Sequence, residues 1–229
     1  MSWLVNFYSS TLGKKAVMAI TGIVLFGFVL THMIGNLKLY FGMHAGRYAL
    51  DVYGEWLRAI GVPGLPEGGA LWIARIVLLA AVILHIDSAV RLTLANRRAR
   101  PVDYETRRTV AAKYAARTMR WGGVIIALFV VFHILDLTTG HANPAFEEGA
   151  VHQNLVASLS RPLVSAFYIL ANLALGLHLY HGLWSMFQSL GLNHRKFNDW
   201  RRVFAIAFAV IVTIGNLSFP LAVLMGVAK

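Results

Sequence analysis

The chain has 229 residues, 58% of them apolar and only 14% charged, with a mean hydropathy of +0.62. An ordinary soluble domain is about 45–50% apolar and about 25% charged, so this composition excludes disorder and argues against a water-soluble globule. The length suits one unit over 1–229 rather than several domains. There is no cysteine, which removes disulfides, thiolate zinc sites, iron–sulfur clusters held by this chain and covalent c-type haem attachment.

A transmembrane helix needs about 20 mostly apolar residues, and five segments qualify. They run over about 16–40, 71–94, 121–139, 162–190 and 203–227. They are too long for strands, and the ten-residue alternation of a closed barrel is absent. The expected fold class is therefore all-α, a polytopic membrane protein with a five-transmembrane-helix bundle. The first span is too long for a cleavable signal peptide and lacks a small-residue cleavage site after it. Between the first and second spans, residues 41–70 are rich in glycine and proline, which marks turns. Gly46 to Ile60 reads as a short interfacial helix with Tyr48, Tyr53 and Trp56 at headgroup level.

The formal charge is +11, and its placement matters more than its size. Lys14 and Lys15 precede the first span. Arg91, Arg97, Arg98, Arg100, Arg107, Arg108, Lys113, Arg117 and Arg120 fall between the second and third. Arg195, Lys196, Arg201 and Arg202 fall between the fourth and fifth. These fifteen cations share one side, whereas Lys38, Arg47, Arg58, Arg75, Arg161 and Lys229 occupy the other. The positive-inside rule then puts the N-terminus in the cytoplasm and the C-terminus outside. The basic excess reads as a topology signal and a docking face, with no nucleic acid as partner.

Ionisable residues inside a membrane are costly and usually functional. Of nine histidines, His32, His85, His133 and His178 fall one to each of the first four spans, and His181 lies one turn beyond His178. Any single histidine is as readily a helix–helix hydrogen bond as a ligand; four on four helices are harder to explain that way. At 1.5 Å per residue, His32 lies roughly 25 Å past Lys15 and His133 roughly 20 Å past Arg120, both in the outer half. His85 lies roughly 9 Å before Arg91 and His178 roughly 25 Å past Arg161, both in the inner half. Two pairs at two depths, each joining two helices, is what two bis-histidine haems require. Six-coordinate iron of that kind transfers electrons and leaves no position for substrate. A zinc site would draw three or four ligands together, and the depth split works against that.

The first span, S-S-T-L-G-K-K-A-V-M-A-I-T-G-I-V-L-F-G-F-V-L-T-H-M-I-G-N-L, the second, V-I-L-H-I-D-S-A-V, the third, W-G-G-V-I-I-A-L-F-V-V-F-H-I-L, and the fourth, G-L-H-L-Y-H-G-L-W-S, carry a resemblance across nearly the whole chain. It resembles the single-chain, five-helix, di-haem cytochrome b anchor of succinate dehydrogenases and fumarate reductases, respiratory complex II. The resemblance implies His85 and His178 as ligands of a proximal haem b and His32 and His133 as ligands of a distal one. G-L-W-S sets the register on His178 rather than His181. It also implies a flavoprotein subunit carrying FAD, an iron–sulfur subunit, menaquinone as diffusible substrate and a bacterial inner (plasma) membrane location. Dicarboxylate catalysis would belong to the partner subunits. A higher oligomer of the complex is open, and nothing in the residues requires it. Some family members carry a buried glutamate two residues before the fourth-span histidine; here that position is Gly176, and Asp87 and Asp136 are the only acids in the spans. The competing readings are a di-haem anchor of another respiratory dehydrogenase or reductase and a haem-free transporter with a histidine proton relay.

Secondary candidates follow. His181, Arg120, Arg117, Lys14 and Lys15 could hold a haem propionate on one side, and Lys38, Arg75 and Arg161 on the other. Ordinary snorkelling to the interface explains each equally well. Trp184 could border the proximal haem. Asp136, one turn past His133, reads first as a solvated helix end, and second as a group that orients a quinol or propionate. Glu55 and Glu67 are candidate proton acceptors for a quinol. Asp87 reads as facing away from the haem and pairing with Arg91 at i+4.

Overall fold

The protein is described by a computed structural model covering residues 2–99, 110–192 and 194–229. Its helices are α1 (Ser2–Ser9), α2 (Thr11–Asn36), α3 (Ala49–Ala59), α4 (Gly69–Arg98), α5 (Val110–Leu137), α6 (Val151–Leu159), α7 (Pro162–Ser189) and α8 (Asn198–Leu224). A two-residue hairpin pairs β1 (Met43–His44) antiparallel to β2 (Arg47–Tyr48). The fold is all-α apart from that hairpin, and five helices are long and apolar enough to cross a bilayer. Arg100, Arg107 and Arg108 lie outside the described residues, as do the side chains of Lys113 and Arg117.

Local chemistry explains where the helices begin. The Ser10 hydroxyl accepts from the backbone N–H of Gly13 at 2.9 Å and caps α2, so the helix starts five residues before the apolar run expected from Ala16. Pro162 opens α7 at a position where its missing N–H costs nothing. The helix α5 begins at Val110, well before the apolar stretch at Trp121: its first turns are rich in Ala, Lys and Arg, which favour helix without favouring lipid. The interfacial helix expected over Gly46 to Ile60 is α3, shortened at its start because Arg47 and Tyr48 are used in the hairpin. The helices α1 and α6, of 8 and 9 residues, are too short to cross a bilayer. Pro220 lies inside α8, one turn from its end, and the helix continues to Leu224.

α2 packs along α4, α5 along α7, and α7 along α8. By contrast, α4 and α7 make at most glancing backbone contact, as do α2 and α5. The best-buried apolar core lies between α7 and α8 and runs toward α6, with Leu159, Leu183, Ala205 and Val212 nearly inaccessible. The closeness of α7 and α8 depends on Gly176, where a Cβ would lie 2.2 Å from Thr213 Oγ1. The space beside position 176 is therefore filled by the neighbouring helix. Outside, Ile73, Ile76, Val77, Leu79 and Ile83 on α4 are exposed, as are Val124, Leu128 and Val131 on α5. Apolar faces of that extent are foreign to soluble monomers and suit contact with lipid tails.

The two ends of the bundle differ. One carries α3 and α6, tied together where Asp51 Oδ1 accepts the backbone N–H of His152 at 2.8 Å. At the other end, α1 is strapped to α4 by a hydrogen bond from Tyr8 to Asp87, and Asp87 also accepts from Arg91 Nε at 2.8 Å.

Candidate metal centres

The structure brings the four span histidines together in twos, each ring reaching across a gap between helices that hardly touch. The rings of His32 on α2 and His133 on α5 have centres 5.8 Å apart and nearly perpendicular planes, at 89°. Those of His85 on α4 and His178 on α7 are 6.3 Å apart, inclined at 60°. Two imidazoles that ligate one metal atom from opposite sides, at about 2 Å each, have ring centres about 6 Å apart. Both pairs meet that spacing. Among the described residues no three His, Asp or Glu side chains converge as a metal site.

Space beside the rings is kept by small residues. A Cβ on Gly22 would come 3.6 Å from Cε1 of His85, and one on Gly123 would come 3.9 Å from Cε1 of His178. Beyond those rings, neither position has another neighbour within 4 Å. Glycine at these two positions leaves the rings uncrowded on that side, as a flat macrocycle beside them would need. The Nδ1 of His178 is buried and has no side-chain hydrogen-bond partner among the described residues; its imidazole lies against the Met119 carbonyl.

The other ring in each pair is anchored from behind. Nδ1 of His85 lies 3.1 Å from Thr21 Oγ1, whose own proton goes to the Val17 carbonyl at 2.7 Å. Nδ1 of His133 lies 3.2 Å from the Tyr168 hydroxyl, which donates to Asp136 Oδ2 at 2.9 Å. In both cases the hydroxyl proton is committed, so its oxygen accepts from the ring. That places the imidazole hydrogen on Nδ1 and leaves the Nε2 lone pair free. Metal-ligating histidines are characteristically held in this way. The arrangement crosses over: α2 carries His32 for one pair and Thr21 for the other, while α7 carries His178 and Tyr168. Thr21 and His32 are eleven residues apart, so the two levels are separated by roughly 16 Å along the helix.

Asp136 corrects the expectation of a solvated helix end. It has no exposed surface. It accepts from Tyr168, from Ser158 Oγ and from Arg161 Nη2 at 2.5 Å, because α6 folds back over the end of α5. It is enclosed and bonded to three donors. Arg161 pairs with this carboxylate and donates to the Ala142 carbonyl at 2.8 Å. Trp184 packs into the α7/α8 core beneath the Arg201 guanidinium, 5.1 Å from the ring centre. Arg75 is exposed and lies over Trp72 at 4.9 Å, and Lys38 lies over Phe41 at 4.9 Å. His181 is half-buried against Tyr180. Arg120, Lys15 and Glu67 are exposed, and Lys14 bonds back to the Ser9 carbonyl.

Glu55 is exposed and paired with Arg47, whose hydrogen bond holds its carboxyl below the usual range. Sequence reasoning missed His152. It is buried, stacked flat on Tyr48 with centres 3.7 Å apart. With Leu39, Tyr40, Val227 and Lys229 it lines a cavity of about 280 Å³. Burial pushes its imidazole below the ordinary value, partly opposed by Asp51. Thr21 and Tyr168 were missed as well. Their only sequence signal is depth, each lying ten or eleven residues from a span histidine on its own helix. Comparison with protein families, with curated proteins and with solved structures finds no match to this chain.

Proposed function

We propose that this chain is the membrane-anchor subunit of a succinate:menaquinone oxidoreductase, or of the reverse quinol:fumarate reductase. In this reading it holds two b haems in a bacterial inner membrane. His85 and His178 would hold one haem, and His32 and His133 the other. The observation that carries the reading is the pair geometry: two imidazole pairs at metal-bridging spacing, each with one ring fixed through Nδ1. Bound haem supplies reversible one-electron transfer.

The chain's own residues do the rest. Thr21 and Tyr168 orient the anchored rings, and Gly22 and Gly123 leave room beside them. The apolar faces of α4 and α5 keep the site in lipid. With the N-terminus cytoplasmic, the His85–His178 pair lies nearer the basic side, where an iron–sulfur subunit and its FAD-bearing flavoprotein would dock. The His32–His133 pair lies toward α3 and α6. There the cavity beside His152 suits a quinone headgroup better than the enclosed Asp136 does: it is open, has aromatic and aliphatic walls, and offers a titratable ring.

The test is to purify the full chain with whatever subunits accompany it and to record a reduced-minus-oxidised spectrum with a pyridine haemochrome count. Two b haems per chain, with flavin and a partner oxidising succinate, is the expected result. Two haems with formate- or hydrogen-oxidising partners would move the chain to another respiratory complex. A folded, haem-supplied preparation without haem would sink the reading and favour a transporter.

A further inference from the structure

Two histidines are anchored from behind, but by unlike means. Behind His85 stands a threonine hydroxyl that ends on a backbone carbonyl. Behind His133 stands a phenol that ends on a fully buried carboxylate. Asp136 in turn is locked by Arg161, the residue that caps α7, and by Ser158 from α6. A buried carboxylate is expensive unless it is paired and hydrogen-bonded, and here three donors, one of them a guanidinium, fill three of its roughly four acceptor sites. This side-chain network is among the most buried in the protein, and it ends on the back of one imidazole. Packing alone does not need it: a phenylalanine at 168 and a leucine at 136 would fill the same space without a charge.

We infer that Tyr168 and Asp136 are positioning residues for His133: they lock its ring with Nδ1 as the donor and strengthen Nε2 as a ligand. The inference rests on the haem reading above. Hydrogen bonding from the far nitrogen raises ligand basicity, and a more basic imidazole favours the oxidised metal. Removing the phenol hydroxyl therefore shifts the balance of that one haem toward the reduced form. Thr21 performs the lesser version of the same task for His85, so its loss acts on the other haem.

The experiment compares the intact chain or complex with Tyr168→Phe, Asp136→Asn and Thr21→Val by potentiometric titration and low-spin EPR, resolving the two haems. Tyr168→Phe is expected to raise the reduced-to-oxidised ratio of one haem roughly tenfold at fixed potential, about 59 mV for one electron. It should change that haem's EPR anisotropy and leave the other haem unmoved. Asp136→Asn should shift the same haem by less, and Thr21→Val should shift only the second. A purely structural network would lower thermal stability or haem content without moving one potential selectively. Two bound haems whose potentials and EPR spectra are unchanged by Tyr168→Phe overturn the inference and leave the haem reading standing. If Tyr168→Phe retains only one haem, Asp136→Asn decides, and an unshifted potential there is equally fatal. Absence of haem from the unaltered protein overturns the haem reading and this inference with it.

Discussion

Thr21 Oγ1 lies 3.1 Å from Nδ1 of His85 on the neighbouring helix, which ties α2 to a histidine pair in which it has no ring. The ring that α2 does contribute, His32, faces His133 at the other level. On the proposed haem reading, haem loss is therefore pairwise. His85→Ala or His178→Ala should remove one haem, and His32→Ala or His133→Ala the other. Pyridine haemochrome counts on the four variants check this, with about half the unaltered content expected in each.

Gly22 and Gly123 stand against the rings of His85 and His178 with open space beyond. Gly22→Leu or Gly123→Leu should crowd those rings and expel the haem proposed for those two histidines. The helix tolerates leucine well, so helicity by circular dichroism should be unchanged while haem content halves.

Asp136 and Arg161 form a buried ion pair in which the carboxylate is wholly enclosed and the guanidinium about a third exposed. Removing one partner of such a pair strands the other, at a cost of about 3–5 kcal/mol. Arg161→Ala should show the larger loss, because it leaves the enclosed carboxylate uncompensated. The double variant Asp136→Ala/Arg161→Ala should lose less than the two single losses combined. Unfolding in detergent measures all three.

His152 has an imidazole pushed below its ordinary value by burial. The unfolded chain then binds more protons than the folded one between that lowered value and about 6.5. Stability accordingly rises with pH through this window and is lost on acidification through it. His152→Phe keeps the stack on Tyr48 and removes the titration. It should flatten the pH dependence of amide exchange protection in α6 on the acid side of about 6.5.

Gly176 is where α7 meets α8, and a Cβ there would lie only 2.2 Å from Thr213 Oγ1. Gly176→Glu should separate the two helices and lower the thermal midpoint sharply. Gly176→Glu combined with Thr213→Gly should recover part of the loss, as a melting series would show.

The five spans and the separation of the histidines into two levels were legible in the residues. Hydrocarbon thickness imposes a length and a composition on any crossing helix, and a constant rise turns sequence distance into depth. The short helices were not legible in that way. The apolar signal of α1 and α6 is brief, and α6 is positioned by Asp51 and by the Asp136 network rather than by its own propensity. Asp136 itself shows why: one turn past His133 at a span end, it looks solvated until α6 closes over it.

Sequence by itself therefore determined that the chain is a bundle of apolar helices with histidines at two levels. Those properties depend on local composition and on a fixed rise per residue. Only the tertiary structure decided what stands behind two of the rings: Thr21 behind His85, and Tyr168 and Asp136 behind His133. A hydrogen bond between helices depends on rotation about each helix axis and on the packing that sets it, and neither is written in the spacing of residues along one strand of sequence.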